Sequence, residues 1–421
     1  MESPRITPRS AGRPKGARLW LLCGLLMLAS AINYLDRQTL AGASVRITRE
    51  FSLTQSGYGA IEAVFGYAFA AGSLVFGWMA DRFAVRRVYA AVLLLWSLAG
   101  IATGWVQTPG QLLVCRALLG FFEAGHWPCA IRATRSLLDP SRRSLGNGLL
   151  QSGASLGAIL APLVLRGLMS SGEGGWRTPF WVVGCVGLLW IPAWLVAITD
   201  EDLLRERAEG KRIATVARDS QSASLWQVLV SREMGIILGL IACINTTWQV
   251  SRAWLMKFLQ EGRGYAEADA LWLNSAWFTA ADLGCIAAGA LATRLAVRGM
   301  PVQRARTAIF AVCAFLCALS VSIPWLGRGP LLLAVLGCGA AGALGVFPLY
   351  HALTQDLPEQ YQGRITGIAG VAGWLIPAQA QHLFGVLADR TGSFDAGLVL
   401  AGFLPTVALL LLTVWQRPST R

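Results

Sequence analysis

Apolar runs of membrane-crossing length recur along almost the whole chain, separated by short polar connectors. A helix needs roughly 20 such residues to cross the hydrocarbon core of a bilayer. The pattern predicts spans at about 18–40, 56–80, 87–106, 111–138, 144–169 and 178–198. A polar segment follows at 199–231, with Asp200, Glu201, Asp202, Arg205, Arg207, Lys211 and Arg212. Further spans are predicted at about 232–258, 270–293, 304–325, 330–353, 364–388 and 395–415. The expected fold is all-α and integral to the membrane, with twelve transmembrane helices in two six-helix bundles, 18–198 and 232–415. The segment 199–231 reads as a cytoplasmic linker, amphipathic or loose. Residues 1–17 and 416–421 read as cytoplasmic tails.

Composition agrees with a bilayer environment. Of 421 residues, 55% are hydrophobic and 14% are charged, and mean hydropathy is +0.52. A soluble chain of this length could not hide so much apolar surface. The formal net charge of +13 invites a nucleic-acid partner, but the basic residues sit in connectors and tails. About 25 of the 36 Lys and Arg fall in segments on the side of the N-terminus. That asymmetry predicts both termini in the cytoplasm of a multi-pass cell-membrane protein, in the inner membrane if the source is Gram-negative, and no nucleic-acid partner. Ala29-Ser30-Ala31 imitates a signal-peptidase site, but the apolar run continues to Leu40, so an uncleaved first span is expected. All nine cysteines lie in apolar runs, and Cys313 and Cys317 share a helix face. Packing is the expected role of both, and of the Gly153 to Gly157 stretch of small residues. The chain has no phosphate-binding glycine loop, catalytic triad or zinc motif, so an ATP-driven pump and an enzyme are not expected.

Lone ionisable groups inside apolar spans are costly, and are functional candidates for that reason. Asp36, Arg37, Arg116 and Glu123 stand out in the first half, Arg252 and Asp282 in the second. Arg116 and Glu123 are seven residues apart and share a helix face, so they can meet or each find a partner on span one. Asp36 and Arg37 point about 100° apart, so one can face a central cavity while the other faces a neighbouring helix. Arg37, with its planar fork, is the candidate clamp for a carboxylate. Asp36 and Glu123 are candidate proton carriers, and Arg116 their switchable partner. Asn33, Tyr34, Tyr67, Asn147 and Gln151 offer hydrogen bonds to sugar hydroxyls. Trp248, Gln249, Arg252, Asn274, Tyr350 and Gln379 do so from the second half. His126, His351 and His382 are further titratable groups without an assigned role.

The connector Gly77-Trp78-Met79-Ala80-Asp81-Arg82-Phe83-Ala84-Val85-Arg86-Arg87 resembles the cytoplasmic signature of the Major Facilitator Superfamily, with alanine where a second glycine is usual. Its Gly77, Asp81, Arg82 and Arg86 are expected to form a gate and helix-end lock. A weaker echo, Gly385-Val386-Leu387-Ala388-Asp389-Arg390, ends span eleven. Asn33-Tyr34-Leu35-Asp36-Arg37, the stretch from Arg116 to Ala124 followed by Trp127-Pro128, and Gln151 to Gly157 resemble the anion:cation symporter family. That family carries hexuronates, aldonates, glucarate and other organic acids. The resemblance implies that Asp36 and Glu123 carry protons and that Arg37 binds the anion. The function expected is proton-coupled symport of a small organic anion, such as a sugar acid, by alternating access. No cofactor is expected beyond the proton as coupling ion, and a monomer is the expected state. An organic-anion antiporter or exporter, and a transport-dead sensor or scaffold, stay open as alternatives.

Overall fold

The structure, a computed structural model of the chain, describes residues 17–138, 143–170, 172, 174–200, 202–203, 232–355 and 359–415. All regular structure among them is helical. In chain order the α-helices are α1 (Ala17–Glu50), α2 (Gln55–Arg82), α3 (Val85–Thr103), α4 (Pro109–Glu123), α5 (His126–Leu137), α6 (Arg143–Leu168) and α7 (Arg177–Ala197). Next come α8 (Arg232–Lys257), α9 (Glu267–Val297), α10 (Val302–Ala318), α11 (Pro330–Gln355), α12 (Glu359–Thr391) and α13 (Asp395–Trp415). A π-turn (Phe258–Gly262) extends α8, and a 3₁₀ turn (Leu319–Trp325) extends α10. Ten helical segments among the described residues are long and apolar enough to cross a membrane. Most of the linker expected at 199–231 lies outside the described residues, as do both tails.

Local chemistry sets the ends. Thr54 caps α2 by accepting from the Gly57 N–H. Thr108 and Gln111 form a capping box at the start of α4, with Pro109 in its first turn. The span predicted as continuous at 111–138 is interrupted at Ala124 and Gly125. Pro128 has no N–H to offer the carbonyl four residues back, which is that of Ala124. The predicted first span ended at 40, yet α1 runs without a break to Glu50. Small residues allow α6 to lie on α1: a Cβ at Gly153 or Gly157 would collide with the carbonyl of Met27 or Ala31.

Three apolar clusters organise the bundle. One lies within the second half and includes Met234, Ile237, Ile241, Phe310 and Leu412. Another draws on α1 to α7, including Trp96, Trp190 and Trp194, with Trp374 of α12 packed against it. The largest joins the two halves through Ile47, Tyr58, Trp176, Trp254, Phe258 and Phe384. That shared cluster sits at the end of the bundle away from the start of α1 and the finish of α13, called here the far end. Ion pairs and hydrogen bonds seal the same end. Arg46 pairs with Glu267 in a two-pronged bridge at 2.8 and 2.6 Å. The N–H groups of Gln55 and Ser56 donate to the two oxygens of Asp389, each at 2.8 Å.

Candidate anion and proton site

Arg37, on the middle of α1, is 3% exposed. Its Nε and Nη2 both donate to Oε2 of Glu123, at 3.2 and 2.9 Å, and Nη2 also donates to Oδ1 of Asn33 at 3.1 Å. Four aromatic rings surround the guanidinium: Tyr34, Phe65, Phe69 and Trp374, at 5.0, 5.5, 5.2 and 5.1 Å from its carbon to the ring centroids. Trp374 comes from the second half and stacks on Phe69 at 4.0 Å. Glu123 is the last residue of α4, immediately before the interruption, and is fully buried. A broken helix places side chains and freed backbone groups in a bundle interior.

The adjacent Asp36 turns toward α3, where its Oδ1 lies against Gly100. Asp36 and Arg37 thus face different surroundings, as their helical offset requires. Asp36 Oδ2 and Glu123 Oε1 are both buried without a hydrogen-bond donor. Each carboxyl therefore keeps one oxygen where a proton can sit.

Arg116 does not meet Glu123, nor an acid of span one. Its Nη2 lies 3.6 Å from Oε2 of Glu62 on α2, and its guanidinium rests 4.3 Å from the centroid of Phe65. Glu62 was not among the predicted site residues, although it is a lone acid in a predicted span. His126 is fully buried, with Nε2 3.1 Å from the Ser30 hydroxyl and Nδ1 2.9 Å from that of Tyr89. Both ring nitrogens are engaged within the first half.

From the second half, Arg252 donates to the Gln249 side chain, and its Nη1 is buried without a partner. Asn274 is 1% exposed, and neither atom of its amide has a partner. Trp248 stacks on Trp277 at 5.4 Å. The Tyr67 hydroxyl donates to Gln379 across the halves, and Ser155 donates to Asp282 at 2.8 Å. Asn147 and Gln151 are exposed on α6. His382 is partly buried, with Nδ1 unpartnered. The side chains of Tyr350 and His351 lie outside the described residues. Lys257, at the end of the span predicted at 232–258, is buried, donating to Thr48 at 2.9 Å and Glu261 at 3.0 Å. The π-turn keeps its backbone in the bundle one turn further than hydropathy suggests.

The residues of the signature connector tie helix ends together. Asp81 pairs with Arg132 of α5 at 2.9 Å, and Arg82 lies over Trp78. Arg86 donates to the Leu195 carbonyl at 2.6 Å and lies 3.5 Å from Asp200. A Cβ at Gly77 would meet open space. Ala84 has φ −67°, so alanine is accommodated in this turn without strain.

Comparison with known proteins puts this geometry in context. Residues 26–381 match the Major Facilitator Superfamily. The chain is 27% identical over 407 residues to a probable sulfoacetate transporter of Cupriavidus necator, covering 93% of this chain and 92% of the other. It is 26% identical to a D-galactonate transporter of Escherichia coli, covering 96% of each. It is 27% identical to a hexuronate transporter of Escherichia coli, covering 96% of this chain and 95% of that one. Among solved structures, a bacterial homologue of the lysosomal transporter Spinster superposes with a TM-score of 0.71 at 15% identity, covering 95% of this chain and 97% of that one. The nucleoside transporter NupG does so with a TM-score of 0.75 at 11% identity, covering 94% and 100%. At those identities the likeness is one of fold.

Proposed function

Because the chain belongs to the Major Facilitator Superfamily, we propose that it is a proton-coupled symporter of a small organic anion working by alternating access. It is a multi-pass cell-membrane transporter, not an enzyme, and its relatives named above carry organic acids. In this reading the chain crosses the membrane twelve times, with both termini cytoplasmic. The rocking halves are 18–198 and 232–415, joined by the linker 199–231, in a monomer. The sealed far end then faces outward.

One observation carries the proposal. The fork of Arg37 is occupied by Glu123, while Glu123 and Asp36 each keep a bare, buried oxygen. Protonating Glu123 removes the charge that holds Arg37. The guanidinium is then free for the carboxylate of the substrate, and the added proton offsets part of the incoming negative charge. Asn33, Tyr34 and the aromatic walls orient the anion. Tyr67, Asn147, Gln151, Trp248, Arg252, Asn274, Tyr350 and Gln379 supply contacts for the rest of it. Sugar acids, and short acids such as sulfoacetate, are the classes to try, following the relatives.

Purified protein in liposomes tests this. Acidifying the outside should accelerate accumulation of one of these anions. Asp36→Asn and Glu123→Gln should each abolish that acceleration while leaving substrate exchange measurable. If both variants keep acid-driven accumulation, the coupling assignment is wrong.

A further inference from the structure

Glu62 has no part in the cycle just described, yet it sits where the two halves meet. It is 2% exposed. Its Oε1 lies 3.2 Å from the Tyr58 hydroxyl, whose single proton it shares with the Ala253 carbonyl, and its Oε2 has no donor. Arg116 faces Oε2 at 3.6 Å, but no nitrogen of its guanidinium makes a hydrogen bond, although the residue is fully buried. A cation with all its N–H groups unspent in a sealed interior is loosely held. Arg116 stands on α4 seven residues before Glu123, about 10.5 Å of rise along the same helix face.

The other half supplies a competitor. Tyr58 donates to the Ala253 carbonyl of α8 at 3.0 Å, which brings the neighbouring Arg252 to the same place. Arg252 is 2% exposed, with Nη1 unpartnered. The groups whose charge or hydroxyl bears on Glu62 are therefore Tyr58 on its own helix, Arg116 on α4 and Arg252 on α8, with Asp36, Arg37 and Glu123 beyond Arg116.

We propose that Glu62 is a third coupling carboxylate, shared between Arg116 of its own half and Arg252 of the other, through which sealing the far end drives protons off Asp36 and Glu123. With the far end open, α8 and Arg252 withdraw, Glu62 holds Arg116, and the two acids load protons. With it closed, Arg252 competes for Glu62, and Arg116, 3.6 Å from Oε2, is loosened toward the acids. The inference rests on the proton-coupled reading and adds the link between gate and proton sites.

The test is the external-pH profile of uptake in liposomes. Glu62→Gln leaves Arg116 unheld in every state, so both acids become harder to protonate. Its profile should move to the acid side by about one pH unit. Arg252→Gln removes the competitor and should move the profile the opposite way, whatever it does to the maximal rate. An unshifted profile for Glu62→Gln, with uptake lowered equally at every pH, would mark a purely structural role and overturn the proposal. If Glu62→Gln does not fold, Arg252→Gln decides alone: an unchanged or acid-shifted profile overturns it. Wild-type uptake with no acid acceleration at all would instead sink the symport reading beneath it.

Discussion

Lysine at position 37 would preserve the charge of Arg37 but not its geometry. The guanidinium sends two N–H groups to one oxygen of Glu123 and a third bond to Asn33, inside a ring of four aromatic faces. An ammonium is a more strongly hydrated point charge and makes poor use of such a site. A charge-assisted hydrogen bond contributes about 1.5–3 kcal/mol. Arg37→Lys should therefore raise the apparent KM for the anion by about tenfold or more, read from uptake at varied substrate concentration. An unchanged KM would mean that Arg37 holds only Glu123. The charged half of this site was legible because Asp36, Arg37, Arg116 and Glu123 interrupt apolar runs. Glu62 was equally visible in a span, but its meaning depends on Arg116 choosing α2 over α1, which spacing along α4 cannot decide. Trp374 gave no signal at all. A tryptophan in an apolar span is ordinary, and only the approach of α12 brings it onto Arg37.

Element ends depart from the hydropathy pattern for one physical reason. Hydropathy ends a span where polar residues begin, whereas a helix ends where its backbone hydrogen bonds end. Arg46, Arg49 and Glu50 are polar, so hydropathy ends the first span at about 40. The helix continues because Arg46 finds Glu267, and Glu50 finds Arg177 at 2.6 Å, on neighbouring elements. Nothing in the sequence pattern predicts the seam between α2 and α12. A Cβ at Gly59 would fall 2.5 Å from the Gln381 carbonyl oxygen, and one at Gly66 would fall 2.7 Å from the Ala378 Cβ. Backbone cannot yield there as a flexible side chain can. Overpacking costs about 1–3 kcal/mol, and here it penalises only the state in which α2 and α12 touch. Gly59→Val should open the far end. Spin labels on Ser52 and Thr391 in a cysteine-free background should then report a longer distance than in the wild type. An unaltered distance distribution would show that this seam does not set the conformational balance.

For the whole molecule, the question is where acidity acts. Asp389 closes the far end from α12 by capping the N-terminus of α2, beyond the span predicted at 364–388. Asp389 is exposed, and what desolvation it suffers disfavours the charge. The hydrogen bonds from Ser56 and Gln55 and the nearby charge of Lys257 outweigh that, and hold its carboxyl below the ordinary value. A carboxyl depressed in the sealed state stabilises that state fully above the ordinary carboxylate range. The contribution is lost only as pH falls through the depressed value. Between about pH 5 and 8, Asp389 is therefore a latch of constant strength and cannot be the proton sensor. Asp389→Asn removes the charge from the helix N-terminus, an effect of about 0.3–1 kcal/mol, and leaves one acceptor oxygen for two N–H donors. It should raise the population open at the far end a few-fold, by the same factor at every pH in that window, measured with the same pair of labels. A wild-type-to-variant difference that shrank on acidification would make the latch itself proton-sensitive. A constant difference leaves the response to protons in the buried set, where Asp36 and Glu123 each hold an oxygen free to receive one.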